Sequence, residues 1–128
     1  MSLVPVSTPA APAAIGPYSQ AVEATGSRFL FLSGQIPLDP ATGQLKNASV
    51  AEEVAQVLAN LQAVLAAAGA SPASLVKTTI FLTDMADFAV VNEAYAAWLG
   101  DHRPARATIA VKALPRGARV EIEGIAIL

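Results

Sequence analysis

The chain has 128 residues, of which 54% are hydrophobic and 14% charged, with a formal net charge of -2 and no cysteine. That length suits one domain around one main core, and the missing thiols exclude disulfides, thiolate catalysis and thiolate metal sites. The eight Lys and Arg form no adjacent basic run, which argues against a phosphate-tracking surface and therefore against nucleic acid as a partner.

Residues 1 to 17 are rich in Pro, Ala and Ser and read as an extended arm; in domain terms, a single domain spans 1–128 with residues 1–14 as its arm. This stretch has neither a basic n-region nor a sustained apolar run, so no export signal is expected. No segment offers the roughly 18 uninterrupted apolar residues of a bilayer span, and cytoplasm is the default expectation.

Tyr18 to Ala24 and Arg28 to Ser33 are short strand candidates separated by Thr25-Gly26-Ser27, which looks like a hairpin turn. Gly34-Gln35-Ile36-Pro37 ends the second of them, and Asp39 to Gly43 is a turn. Ser49-Val50-Ala51-Glu52 has capping-box spacing, so a helix should begin there. Val50, Val54, Val57, Leu58, Leu61, Val64 and Leu65 form its apolar stripe, and Gly69 supplies a left-handed stop.

Leu75 to Leu82 is a strand by its Val, Thr, Ile and Phe content, reached by a right-handed crossover. Asp84 and Asp87 have capping spacing ahead of a second helix, whose stripe is Phe88, Val91, Tyr95, Trp98 and Leu99 and whose stop is Gly100. Two further strands, Ala105 to Leu114 and Arg119 to Ile127, are joined at Pro115 to Ala118. Two helices can cover one face of such a sheet, and the other face must meet water or a second chain, so a closed symmetric oligomer is expected.

In Arg103-Pro104-Ala105-Arg106-Ala107-Thr108, alternation puts Arg106, Thr108, Ala110 and Lys112 on one face and Ala107, Ile109, Val111 and Ala113 on the other, expected to be the core side. An Arg held in mid-sheet presents a rigid fork of donors to a planar carboxylate; the plainer reading is a surface ion pair. Glu121 and Glu123 alternate against Val120 and Ile122. A hairpin centred between Arg116 and Gly117 sets Lys112 opposite Glu121 and gathers Arg106, Thr108, Glu121 and Glu123 on one face. Arg106 would still lie roughly 20 Å from Glu121 at about 3.4 Å per residue. A bulge, a strong twist or a neighbouring subunit could bring them together, and the sequence leaves all of these open. A carboxyl on a partly enclosed apolar surface is suited to exchange protons near neutral pH, whereas its plain role is a cross-strand partner for Lys112.

Tyr18 at the mouth of a strand, Ser33 before Gly34, and Asn92 in the second helix are further candidate binding groups, each with an ordinary packing or turn role as its alternative. His102 is the sole histidine, with no second one to make a metal pair. No dinucleotide fingerprint, Walker sequence or nucleophile elbow occurs, so neither a cofactor nor a metal is expected.

Five segments taken together resemble the RidA (YjgF/YER057c/UK114) family of reactive-intermediate deaminases: Ala13-Ala14-Ile15-Gly16-Pro17-Tyr18-Ser19-Gln20-Ala21, Ser33-Gly34-Gln35-Ile36-Pro37, Val76-Lys77-Thr78-Thr79-Ile80-Phe81-Leu82, Arg103-Pro104-Ala105-Arg106, and the run from Leu114 to Glu123. The resemblance implies a chorismate-mutase-like α+β domain with a six-stranded mixed sheet, two helices on one face, and a homotrimer with a central sheet barrel and intersubunit clefts. It also implies Arg106 as carboxylate binder, Glu121 as water-handling acid, and Tyr18, Ser33, Gly34, Asn92 and Thr108 around the substrate. Thr108 stands where the best-known bacterial members have cysteine, which removes any role for a thiol.

The implied activity is hydrolysis of 2-aminoacrylate/2-iminopropanoate and 2-aminocrotonate/2-iminobutanoate to 2-oxo acids and ammonia. These substrates are released by PLP-dependent serine/threonine dehydratases, and no cofactor is implied. The competing readings are a trimeric 2-oxo-acid-binding regulatory protein without significant turnover, an endoribonuclease or translation inhibitor, and, from shared architecture alone, a chorismate mutase.

Overall fold

A computed structural model describes all residues, 1–128. In chain order the elements are β1 (Ser2–Val6), β2 (Ala21–Thr25), β3 (Phe29–Gln35), α1 (Val50–Ala67), β4 (Leu75–Leu82), α2 (Phe88–Leu99), β5 (Ala105–Ala110) and β6 (Val120–Ile127). No helix is long and apolar enough to cross a membrane.

α1 begins and ends where local chemistry dictates, whereas α2 starts without the expected side-chain cap from Asp87. The Ser49 hydroxyl accepts from Glu52 N at 3.1 Å and so caps α1. Gly69, at φ 75°, leaves the helical path just beyond it. Ahead of α2, Asp84 caps a single 3-10 turn, Met85–Asp87, by accepting from Ala86 N. Both apolar stripes face inward, with Val54, Val57, Leu61, Leu65, Val91 and Tyr95 at 2% exposure or less. Each such side chain contributes about 1.5–3 kcal/mol through burial.

The strands divide into two sheets, and this corrects the expected six-stranded sheet. β1 pairs antiparallel with β2, while the other four run β3-β6-β4-β5. The β2–β3 connection is not a hairpin: β2 takes its partner from the arm, and β3 pairs with β6. A Cβ on Gly26 would overlap the Ile127 side chain, so the glycine lets this connection lie against the end of β6, where Arg28 and Leu128 exchange backbone hydrogen bonds.

β5 and β6 do not form a hairpin either. They flank β4, with β5 parallel to it and β6 antiparallel, and Lys112 lies beyond the end of β5 rather than opposite Glu121. The expected central sheet barrel is also absent. The four-stranded sheet is open, with β3 and β5 as its edges, whereas closure would require those edges to be paired. Outside β4, β5 meets only an isolated bridge between Ser19 and Ala105.

α1 and α2 cover one face of the larger sheet, where Thr78, Ile80, Leu82, Val120 and Ile122 are buried. A register shift between Leu75 and Lys77 turns Leu75 into the core in place of Val76. The opposite face leaves Phe29 and Phe31 at 62% and 71% exposure, with Phe81 and Ile125 half-buried beside them.

Candidate active site

The face assignment of β5 is the reverse of the sequence expectation. Arg106 sits beside Thr78, and Thr108 beside Ile80, in the β4–β5 ladder, so both turn towards the helices, while Ile109 on the alternate face is 45% exposed. A polar residue directed at the helix layer defeats a simple hydrophobic-in rule for β5. Arg106 is accommodated because α2 brings a polar and aromatic face over it.

Phe88, Asn92 and Tyr95, spaced four and three residues apart, share that face of α2. The Arg106 guanidinium carbon lies 5.6 Å from the Phe88 ring centroid and 5.4 Å from that of Tyr95. From the other side the Tyr18 ring approaches to 5.4 Å, and Nη1 donates to Asn92 Oδ1 at 2.5 Å. The Tyr95 hydroxyl is itself anchored to Thr78 Oγ1 at 2.7 Å. Three rings and an amide thus hold the fork in place, each ring adding about 0.5–2 kcal/mol of cation–π attraction.

The two ion pairs of the chain are Lys46 with Asp39 and Arg119 with Glu53; Arg106 has no carboxylate partner. Burial pulls its pKa below the ordinary value, partly offset by the phenols of Tyr95 and Tyr18. A guanidinium nevertheless stays charged at neutral pH, so its remaining donors suit an anion brought in from outside. Burial also raises the Tyr95 pKa, against the hydrogen bond from Thr78 and the charge of Arg106. Two residues along β5, Thr108 Oγ1 is buried without a hydrogen-bond partner in the chain.

Glu121 belongs to a different surface. It sits opposite Phe81, on the outer face of the sheet, as its alternation with buried Val120 and Ile122 predicts. Its carboxylate lies over Gly34, where a Cβ would overlap it, so glycine lets the carboxylate occupy this position. β3 carries an extra residue between Leu32 and Gln35, a bulge that exposes Ser33 next to Gly34.

The candidate residues therefore fall into two groups: Tyr18, Asn92, Arg106 and Thr108 at the β5 edge under α2, and Ser33, Gly34 and Glu121 on the outer face. The common face expected for Arg106 and Glu121 is not formed within one chain. Thr78, Phe88 and Tyr95 were not expected at the site: Phe88 and Tyr95 belong to the apolar stripe of α2, and their i, i+4 and i, i+3 spacing to Asn92 was the signal that could have placed them there. His102 places Nε2 against Leu75 O at 2.7 Å, a structural bond. No group of three or more His, Asp or Glu side chains converges as metal ligands do. The largest cavity, about 330 Å³, lies beside the arm and touches this constellation only at Tyr18.

Residues 8–128 match the family described as endoribonuclease L-PSP. Within that class, the chain belongs to the RidA/YjgF family. Protein DfrA of Myxococcus xanthus is 54% identical over 117 residues, covering 91% of this chain and 89% of that protein. The mouse 2-iminobutanoate/2-iminopropanoate deaminase is 53% identical over 122 residues, covering 95% and 89% respectively. The crystal structure of E. coli TdcF with bound serine superposes with a TM-score of 0.75 at 39% identity, covering 98% of each chain.

Proposed function

We propose that this protein is a hydrolase of reactive 2-imino acids, converting 2-iminopropanoate and 2-iminobutanoate, with their enamine tautomers, to 2-oxo acids and ammonia. The observation that carries this reading is the unneutralised Arg106 guanidinium in its box of rings. It is supported by the deaminases of mouse and human, which are 53% and 50% identical to this chain.

Arg106 grips the substrate carboxylate through two charge-assisted bonds and fixes the C2 carbon. Asn92 and Tyr18 hold the fork, and the Thr108 hydroxyl faces the same side. Glu121 removes a proton from water as the water oxygen bonds to C2 of the protonated imine, and the C=N π pair moves to nitrogen to leave an amine. Glu121 then delivers that proton to the amine nitrogen, the C–N bond breaks as a hydroxyl lone pair forms the carbonyl, and the hydroxyl proton passes back to Glu121, releasing the 2-oxo acid and ammonia. Ser33 and the Gly34 backbone flank the attacking water.

Arg106 and Glu121 stand on opposite faces of one sheet, so a cleft holding both takes Arg106 from one subunit and Glu121 from another. A homotrimer with three such clefts is the assembly that fits this reading. PLP-dependent serine and threonine dehydratases are the class of enzyme that supplies the substrate.

The test generates 2-aminoacrylate in situ with a PLP-dependent dehydratase and follows pyruvate release with and without this protein. Acceleration that disappears in Arg106→Ala supports the proposal. Binding of 2-oxo acids with no acceleration would identify a carboxylate-binding regulator instead, and an unimpaired Arg106→Ala would remove the assigned role.

A further inference from the structure

Glu53 is a fully buried carboxylate for which the chemistry above has no use. It lies in the first turn of α1 and binds one residue twice: Oε1 accepts from Arg119 N at 2.8 Å, and Oε2 pairs with Arg119 Nε. Arg119 Nη2 in turn donates to Asn47 O at 2.9 Å, and Arg119 O accepts from Thr83 N at 3.2 Å, extending the β4–β6 ladder by one bond. Main chain and side chain of a single residue are thus tied to α1, to the segment before it, and to the end of β4.

With the Glu53 carboxylate buried and the Arg119 side chain 40% exposed, the pair is a poor source of net stability compared with apolar packing, and the best-attested use of such a pair is to fix register. The register at stake is that of β6, because Arg119 precedes Glu121 by two residues. On the β3 side, the bulge between Leu32 and Gln35 falls opposite Glu123, and the ladder ends at the Gln35–Ile122 pair. From Glu121 back to Arg119, β6 is paired with β4 alone.

We propose that the Glu53–Arg119 pair is the positioning device for Glu121, pinning the start of β6 so that the carboxylate stays over Gly34 and in line with the attacking water. Glu53 is a positioning residue, remote from substrate, and the proposal rests on the proton-transfer role given to Glu121 above. Arg106 is carried by β5, so disturbing the pair leaves substrate capture intact.

Glu53→Gln removes the charge while keeping the size, and Arg119→Lys keeps the charge but loses the Nε contact. Both are assayed for imine hydrolysis, and the ¹³C carboxyl resonance of Glu121, identified by its absence in Glu121→Gln, is recorded at one fixed pH. The expected result is a kcat reduced about tenfold or more with KM within about twofold of the parent, together with a displaced Glu121 resonance. A lowered melting temperature with unchanged kcat, KM and Glu121 resonance makes the pair merely structural and overturns the proposal. If the parent protein itself shows no acceleration, the deaminase reading fails; the Glu121 resonance then decides the positioning claim, a displacement supporting it and no displacement overturning it. Should Glu53→Gln not fold, Arg119→Lys carries both measurements.

Discussion

Arg106 is held by flat surfaces and one amide, with no countercharge, and its usefulness depends on its shape as much as its charge. Arg106→Lys keeps the charge but loses the planar fork and its contact with the rings, so kcat/KM for imine hydrolysis should fall about 100-fold, as measured by coupled pyruvate release. Tyr95 gives a pH prediction. Burial raises its folded pKa above the ordinary value of 10.0, so its stabilising contribution is fully present below about pH 10 and is lost as pH climbs through the raised folded value. Urea unfolding across that alkaline range should show the decline in the parent and a shallower one in Tyr95→Phe. At neutral pH the same variant strands the buried Thr78 hydroxyl and costs about 1–3 kcal/mol. Gly34→Ala places a methyl group where the Glu121 carboxylate now lies and should reduce kcat far more than it raises KM in steady-state assays.

At the level of elements, helix chemistry was the most transferable part of the sequence. Ser49→Ala should cost about 1 kcal/mol in chemical denaturation, and Leu65→Ala, which empties a fully buried site, about 2–5 kcal/mol. Those predictions rest on residues whose roles the sequence already showed, because caps and stripes are set by neighbours within a few positions. Most strand positions were readable for the same reason, β1 in the Pro-rich arm being the exception, and the alternation of Val120, Glu121 and Ile122 held. Strand partners were not readable. Adjacency in sequence suggested that β5 and β6 form a hairpin, yet β4 lies between them, a pairing set by long-range packing under the two helices. The face of β5 failed for a related reason: Ala107 and Ile109 looked like the core side, while the rings of α2 that solvate Arg106 come from a separate segment. The residues of the candidate site were thus legible one by one, and their division between two faces was not.

Over the whole molecule, the uneven cover of the sheet matters most. Phe29 and Phe31 stand on the face that no helix protects, a patch of the kind that joins chains. Phe31→Glu should therefore yield a smaller species by size-exclusion chromatography with light scattering, with unchanged far-UV circular dichroism and lost imine hydrolysis. If Arg106 and Glu121 meet between subunits as proposed, activity becomes a collective property that can be repaired by genetics. Two defective proteins, Arg106→Ala and Glu121→Gln, unfolded and reassembled together in equal amounts, would regain intact sites in about one cleft in four, though neither parent works alone.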